Sequence, residues 1–95
     1  MIRSWRNAAS RKVWAGEKPN QFRGLDFEAV IDLLLALNVA KRLHDLSPLK
    51  SVGLHKLKGK RRSQWAMTVN KRWRICFEFH KGDAHDVEIV DYHEG

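Results

Sequence analysis

A chain of 95 residues supports one hydrophobic core and not a second, because a domain this small buries barely enough surface to hold itself together. Apolar residues make up 43% of it and aromatics 9%, with only two prolines, which excludes a disordered or low-complexity segment. The formal net charge of +7 is segregated, residues 1–40 summing to +2, residues 41–74 to +10 and residues 75–95 to −5, so the middle third draws polyanions and nucleic acid is the leading partner.

In chain order, Ile2 to Trp5 is a short extended segment. No apolar stretch follows the early charges, so a secretory signal is not expected and the cytoplasm is. Asn7 caps a first helix through Ala8, Ala9, Val13 and Trp14 that Gly16 ends in a left-handed conformation. Glu17 to Gly24 reads as a loop. Asp26 opens a second helix whose apolar face takes in Phe27, Val30, Ile31, Leu34, Leu37 and Leu43, ending near Leu46 and before Pro48. Its longest apolar run, Val30 to Leu37, contains Asp32 and falls far short of the roughly 20 residues that span a bilayer, so no membrane segment is expected.

From Leu54 the period changes to two. Trp65, Met67 and Val69 alternate with Gln64, Ala66 and Thr68, and Trp73, Ile75, Phe77 and Phe79 with Arg72, Arg74, Cys76 and Glu78. Asn70 and Lys71 form a link of hairpin length, Asn tolerating the positive φ of such a turn. Lys81, Gly82 and Asp83 make a second turn, and Val87, Ile89 and Tyr92 mark a last strand. Cys76, the only cysteine, excludes a disulfide framework and a multi-Cys zinc site and reads as a small buried hydrophobe. The expected fold is α+β: one domain over residues 1–95, a short N-terminal strand, and two helices packed on one face of an antiparallel sheet. The other face is free to be polar and to hold Arg72 or Arg74 with the last residues of the chain.

Three groups of side chains can carry chemistry: His55, Lys56 and Lys58 with Lys60, Arg61 and Arg62; Lys71, Arg72 and Arg74; and Asp91, Tyr92 and His93. Cutting RNA without a metal takes a base for the 2′-hydroxyl proton, cations for the phosphorane charge and an acid for the leaving 5′-oxygen. Imidazole, with an ordinary pKa near 6.5, suits the first and last roles, which points to His55 and His93. His44 is more simply a helix C-terminal cation, and His80 and His85 flank a turn. Trp65 and Trp73 read as core rather than as stacking platforms. His55, Asp91 and His93 lack the HxxxH or HExxH spacing of a metal site, so neither a metal nor a cofactor is expected.

The segments Leu54-His55-Lys56-Leu57-Lys58-Gly59, Trp65 to Asn70, Arg72-Trp73-Arg74-Ile75-Cys76-Phe77 and Asp86 to His93 resemble the HigB branch of the RelE-type toxins of bacterial toxin–antitoxin pairs, as does the opening Met1-Ile2-Arg3-Ser4-Trp5. The resemblance runs in order over nearly the whole chain. It implies a RelE-like fold and a ribosome-dependent endoribonuclease that cuts messenger RNA in the ribosomal A site. It also implies a HigA-type helix-turn-helix antitoxin as partner, with operator DNA bound only through the antitoxin complex. Carried over by position, His55 and His93 are the acid/base pair in either order, Lys58 and Arg74 the phosphate and transition-state cations, Asp91 an orienting charge and Tyr92 a stacking or positioning group. Lys56, Lys60, Arg61, Arg62, Lys71 and Arg72 are the expected RNA-binding cations. The chain departs from the family pattern at Lys56, where many members have proline, at Asn70, where some have arginine, and at Glu94-Gly95, which follow the usual terminal D-Y-H. The alternative from another class is a non-catalytic basic module that binds RNA or ribosomes.

Overall fold

The Asn7 side chain accepts a hydrogen bond from the Ser10 amide at 2.8 Å and starts helix α1, Ala8–Trp14. Gly16, at φ +92°, follows its end, as the sequence leads one to expect. In this computed structural model residues 1–46, 53–70 and 72–91 are described. Asp26 caps α2, Phe27–Val39, through the Ala29 amide at 3.0 Å. The helix stops at Val39 and not near Leu46: Ala40 turns extended, and the Asp45 carboxylate takes the Lys41 and Arg42 amides at 2.9 and 3.1 Å. Leu43–Leu46 is a separate 3₁₀ turn that still drops Leu46 into the core.

The sheet is an antiparallel meander in the order β1 (His55–Lys56), β2 (Trp65–Asn70), β3 (Trp73–His80), β4 (Asp83–Asp91). Lys81 and Gly82, at φ 51° and 81°, close the β3–β4 hairpin in the doubly left-handed geometry that suits the strand twist. Gly82 is needed there, since a Cβ would stand 3.2 Å from the Lys41 carbonyl oxygen. Ile2 to Trp5 is less than a strand: it joins β4 through two isolated parallel bridges, Ile2 with Ala84 and Trp5 with Val87. A bulge in β4, with Asp86 at φ 51°, lets Ser4 accept from the Asp86 amide at 2.9 Å through its hydroxyl.

Both helices cover one sheet face. Val13, Val30, Leu34 and Leu37 pack with Met67, Trp73, Ile75, Phe77, Val87 and Ile89 in one buried cluster, and half-buried Trp65 packs against it. The sequence places the β2–β3 turn at Asn70 and Lys71, but Asn70 stays in β2 and pairs with Trp73. A bulge between Thr68 and Asn70 shifts the register by one residue, so Val69 and Asn70 both turn to the helix side. There Asn70 accepts from the Asp26 amide at 3.0 Å and donates to the Gly24 carbonyl at 2.9 Å. Among the described residues no helix is long and apolar enough to cross a membrane.

Candidate active site

Residues paired across a sheet share a face, so the register alone sets out the surface away from the helices. One row reads His55, Ala66, Cys76, Glu88, and the next Thr68, Arg74, Val90. At its floor Leu57, Ala66 and Cys76 are buried together with Val90 packed on them. Burial pushes the Cys76 thiol up, which suits the packing role read from the sequence.

His55 lies on the edge strand, exposed, with Nδ1 2.8 Å from the Gly53 carbonyl oxygen. A carbonyl only accepts, so Nδ1 carries the proton and the neutral ring keeps its lone pair on Nε2. His55, Lys56, Leu57, Lys58 and Arg61 line a cleft of about 250 Å³. Lys58 precedes the 3₁₀ turn Gly59–Arg61, whose Lys60 is exposed, as is Arg62 after it. Arg61 folds back: its guanidinium donates to Gln64 Oε1 at 2.9 Å and to Glu88 at 3.2 Å. Glu88 also meets Arg6 at 3.7 Å and Asn7 at 3.4 Å, so one carboxylate ties the basic turn and the cap of α1 to β4.

Arg74 is half-buried in the central part of the open face and donates to the Trp73 carbonyl at 3.2 Å. His55 and Arg74 sit two strands and one row apart, about 12 Å between Cα atoms from standard strand spacings, within the reach of an arginine toward a shared ligand. Asp91, at the end of β4, pairs in register with Trp73 and so belongs to the helix-side face, Val90 being the residue opposite Arg74, and it accepts from Arg72 at 3.2 Å. Lys56 is exposed on the edge strand opposite Trp65. Lys71, Tyr92 and His93 lie outside the described residues. Among the described residues no three His, Cys, Asp or Glu side chains gather as a metal-ligand group.

Sequence reasoning singled out neither Glu88 nor Gly53. Glu88 lies 27 residues from Arg61, and only the alternation of β4 hinted that it shares the open face. Gly53 acts through its carbonyl, for which a sequence offers no side chain to notice.

Among the described residues, two helices on one face of a four-stranded antiparallel sheet, with arginine and histidine on the other, make a small α+β domain consistent with a RelE-like fold. Residues 16–93 match the family described as the RelE-like toxin of type II toxin-antitoxin system HigB. The chain is also 31% identical over 93 residues to "Endoribonuclease HigB" of Proteus vulgaris, an alignment that covers 98% of this chain and 100% of that relative. The chain therefore belongs to the HigB-like family of RelE-like toxins.

Proposed function

We propose that the chain is an endoribonuclease toxin that cuts messenger RNA in the ribosomal A site and so halts translation in the cytoplasm. The observation that carries this reading is that His55, its Nδ1 against the Gly53 carbonyl, and Arg74 lie on one open face, in a chain aligned end to end with a relative named as an endoribonuclease. A base, His55 or His93, takes the proton of the 2′-hydroxyl, and O2′ forms a bond to phosphorus. The bond from phosphorus to the 5′-oxygen breaks as the other histidine protonates that oxygen, leaving a 2′,3′-cyclic phosphate. Lys58 and Arg74 hold the phosphorane charge, Asp91 orients the neighbouring Arg72 and Tyr92 is a stacking or positioning group. Lys56, Lys60, Arg62, Lys71 and Arg72 bind the strand, and Arg61 contributes while it remains paired with Glu88. A HigA-type helix-turn-helix antitoxin neutralises the toxin, and operator DNA is reached through that complex.

The test is a paired assay of ribosome co-sedimentation and messenger cleavage. His93→Ala is expected to keep ribosome binding and lose about 10² to 10⁴ in rate, the contribution of one acid or base. Arg74→Ala is expected to lose both, because its charge faces the phosphate in the ground state as well as the transition state. Cleavage in excess chelator should persist and leave the cyclic phosphate. A His93→Ala protein that cleaves as fast as wild type removes the acid/base assignment, and a wild type that binds ribosomes without cutting favours the non-catalytic module.

A further inference from the structure

At the β2–β3 end of the sheet, Arg23, Gly24, Arg72 and Trp73 line a cleft of about 270 Å³. The loop before α2 is held there by three hydrogen bonds. The Trp73 indole N–H donates to the Arg23 carbonyl at 3.0 Å, Asn70 donates to the Gly24 carbonyl at 2.9 Å, and Asn70 accepts from the Asp26 amide at 3.0 Å. Gly24, at φ 76°, brings the backbone to the indole: a Cβ there would sit 3.9 Å from Trp73 Nε1. The loop is thus fixed at the residue that carries Arg23, whose side chain is exposed and pairs with no carboxylate among the described residues. Arg72 forms the other wall, and its partner Asp91 leaves it half-exposed.

Arg72 keeps Asp91 as its counter-ion, so Arg23 is the cation of this cleft that lacks a carboxylate among the described residues, and a planar fork of N–H donors fits a phosphate oxygen pair. Trp73 links this cleft to the open face, since it accepts from Arg74 through its carbonyl and donates to Arg23 through its ring. We propose that the cleft is a second phosphate subsite, in which Arg23 and Arg72 hold the RNA backbone beside the phosphate held at Arg74. This rests on the nuclease reading above and adds a binding residue, Arg23, to it. The hydrogen bonds fix the backbone of the loop before RNA arrives, so contact of Arg23 with phosphate costs no loop ordering.

The experiment measures the affinity of the full chain for a single-stranded 2′-O-methyl RNA oligonucleotide, which resists cleavage, across a salt series. Arg23→Ala should weaken binding several-fold at low salt and lower the slope of log affinity against log salt by about 0.7, the value for one phosphate contact on a single strand. Arg11→Ala, on the exposed face of α1, makes the same change in net charge and should leave the slope where it is. Asn70→Ala keeps every charge but loosens the loop at Gly24 and Asp26, and should reproduce part of the Arg23→Ala loss. If Arg23→Ala and Arg11→Ala behave alike while wild type binds and cuts RNA, the subsite is overturned and the nuclease reading stands. If wild type neither binds nor cuts RNA, the nuclease reading fails and the subsite fails with it.

Discussion

His55 turns Nδ1 to the Gly53 carbonyl at 2.8 Å, and Gly53 can aim that carbonyl because its φ is 55°, a left-handed value. An alanine at this position would carry strain of about 1–2 kcal/mol and set a Cβ 3.4 Å from Thr68 Oγ1. Gly53→Ala is therefore expected to tilt the carbonyl away from the ring and let the Nε2–H tautomer populate. Messenger cleavage should drop, by less than the full ~10² to 10⁴ of a missing base. Gly53→Asn, whose side chain tolerates left-handed backbone, should recover most of it. Nitrogen-15 spectra of His55 read the tautomer directly and do not depend on activity. A wild-type ring protonated on Nε2 would sink the orientation argument.

At the scale of elements, local pattern told the right story until the backbone itself intervened. The starts of both helices were legible because Asn7 and Asp26 are capping side chains beside apolar residues at helical spacing. The end of α2 was not, because Leu43 extends the apolar pattern while Asp45, further along, captures the Lys41 and Arg42 amides. Nor was the bulge that turns Asn70 inward, since it arises in pairing between strands and leaves no mark on either one alone. Asn70 is a strand end that clasps the loop before α2. Asn70→Ala removes two hydrogen bonds of about 1 kcal/mol each, which for a domain of this size lowers Tm by roughly 8–16 °C. Thermal unfolding measures the loss, and faster exchange of the Asp26 amide would locate it. An unchanged Tm would mean the Trp73 bond and the buried Phe22 and Leu25 hold the loop without Asn70.

Across the whole molecule, the +10 segment and the His and Arg motifs pointed to His55 and Arg74, which the strand register sets on one face, whereas contacts that join distant parts of the chain did not show. The Glu88 cluster is one such contact, and the tie between the N-terminal segment and the last hairpin is another. Four backbone hydrogen bonds of 2.8–3.1 Å run between residues 1–6 and β4, and Asp83 adds ion pairs to Arg3 at 3.1 Å and to the Met1 ammonium at 3.4 Å. Desolvation raises the Asp83 pKa, but hydrogen bonds and charge attraction from Arg3 and the ammonium outweigh it and hold the carboxyl below its ordinary value. Asp45 is lowered too, by the Lys41 and Arg42 amides it caps. A carboxyl whose folded pKa lies below its unfolded one adds stability above the unfolded value, about 3.9, and loses it as pH falls through the folded value. Both contributions are therefore complete at neutral pH and fade from about pH 4 downward. Asp83→Asn should lower Tm at pH 7 and leave it less dependent on pH in the acid range, with the N-terminal amides of Arg3 and Arg6 the first to lose protection from exchange. Parallel acid limbs for Asp83→Asn and wild type would show that the charge of Asp83 does not hold the N-terminal segment to the sheet.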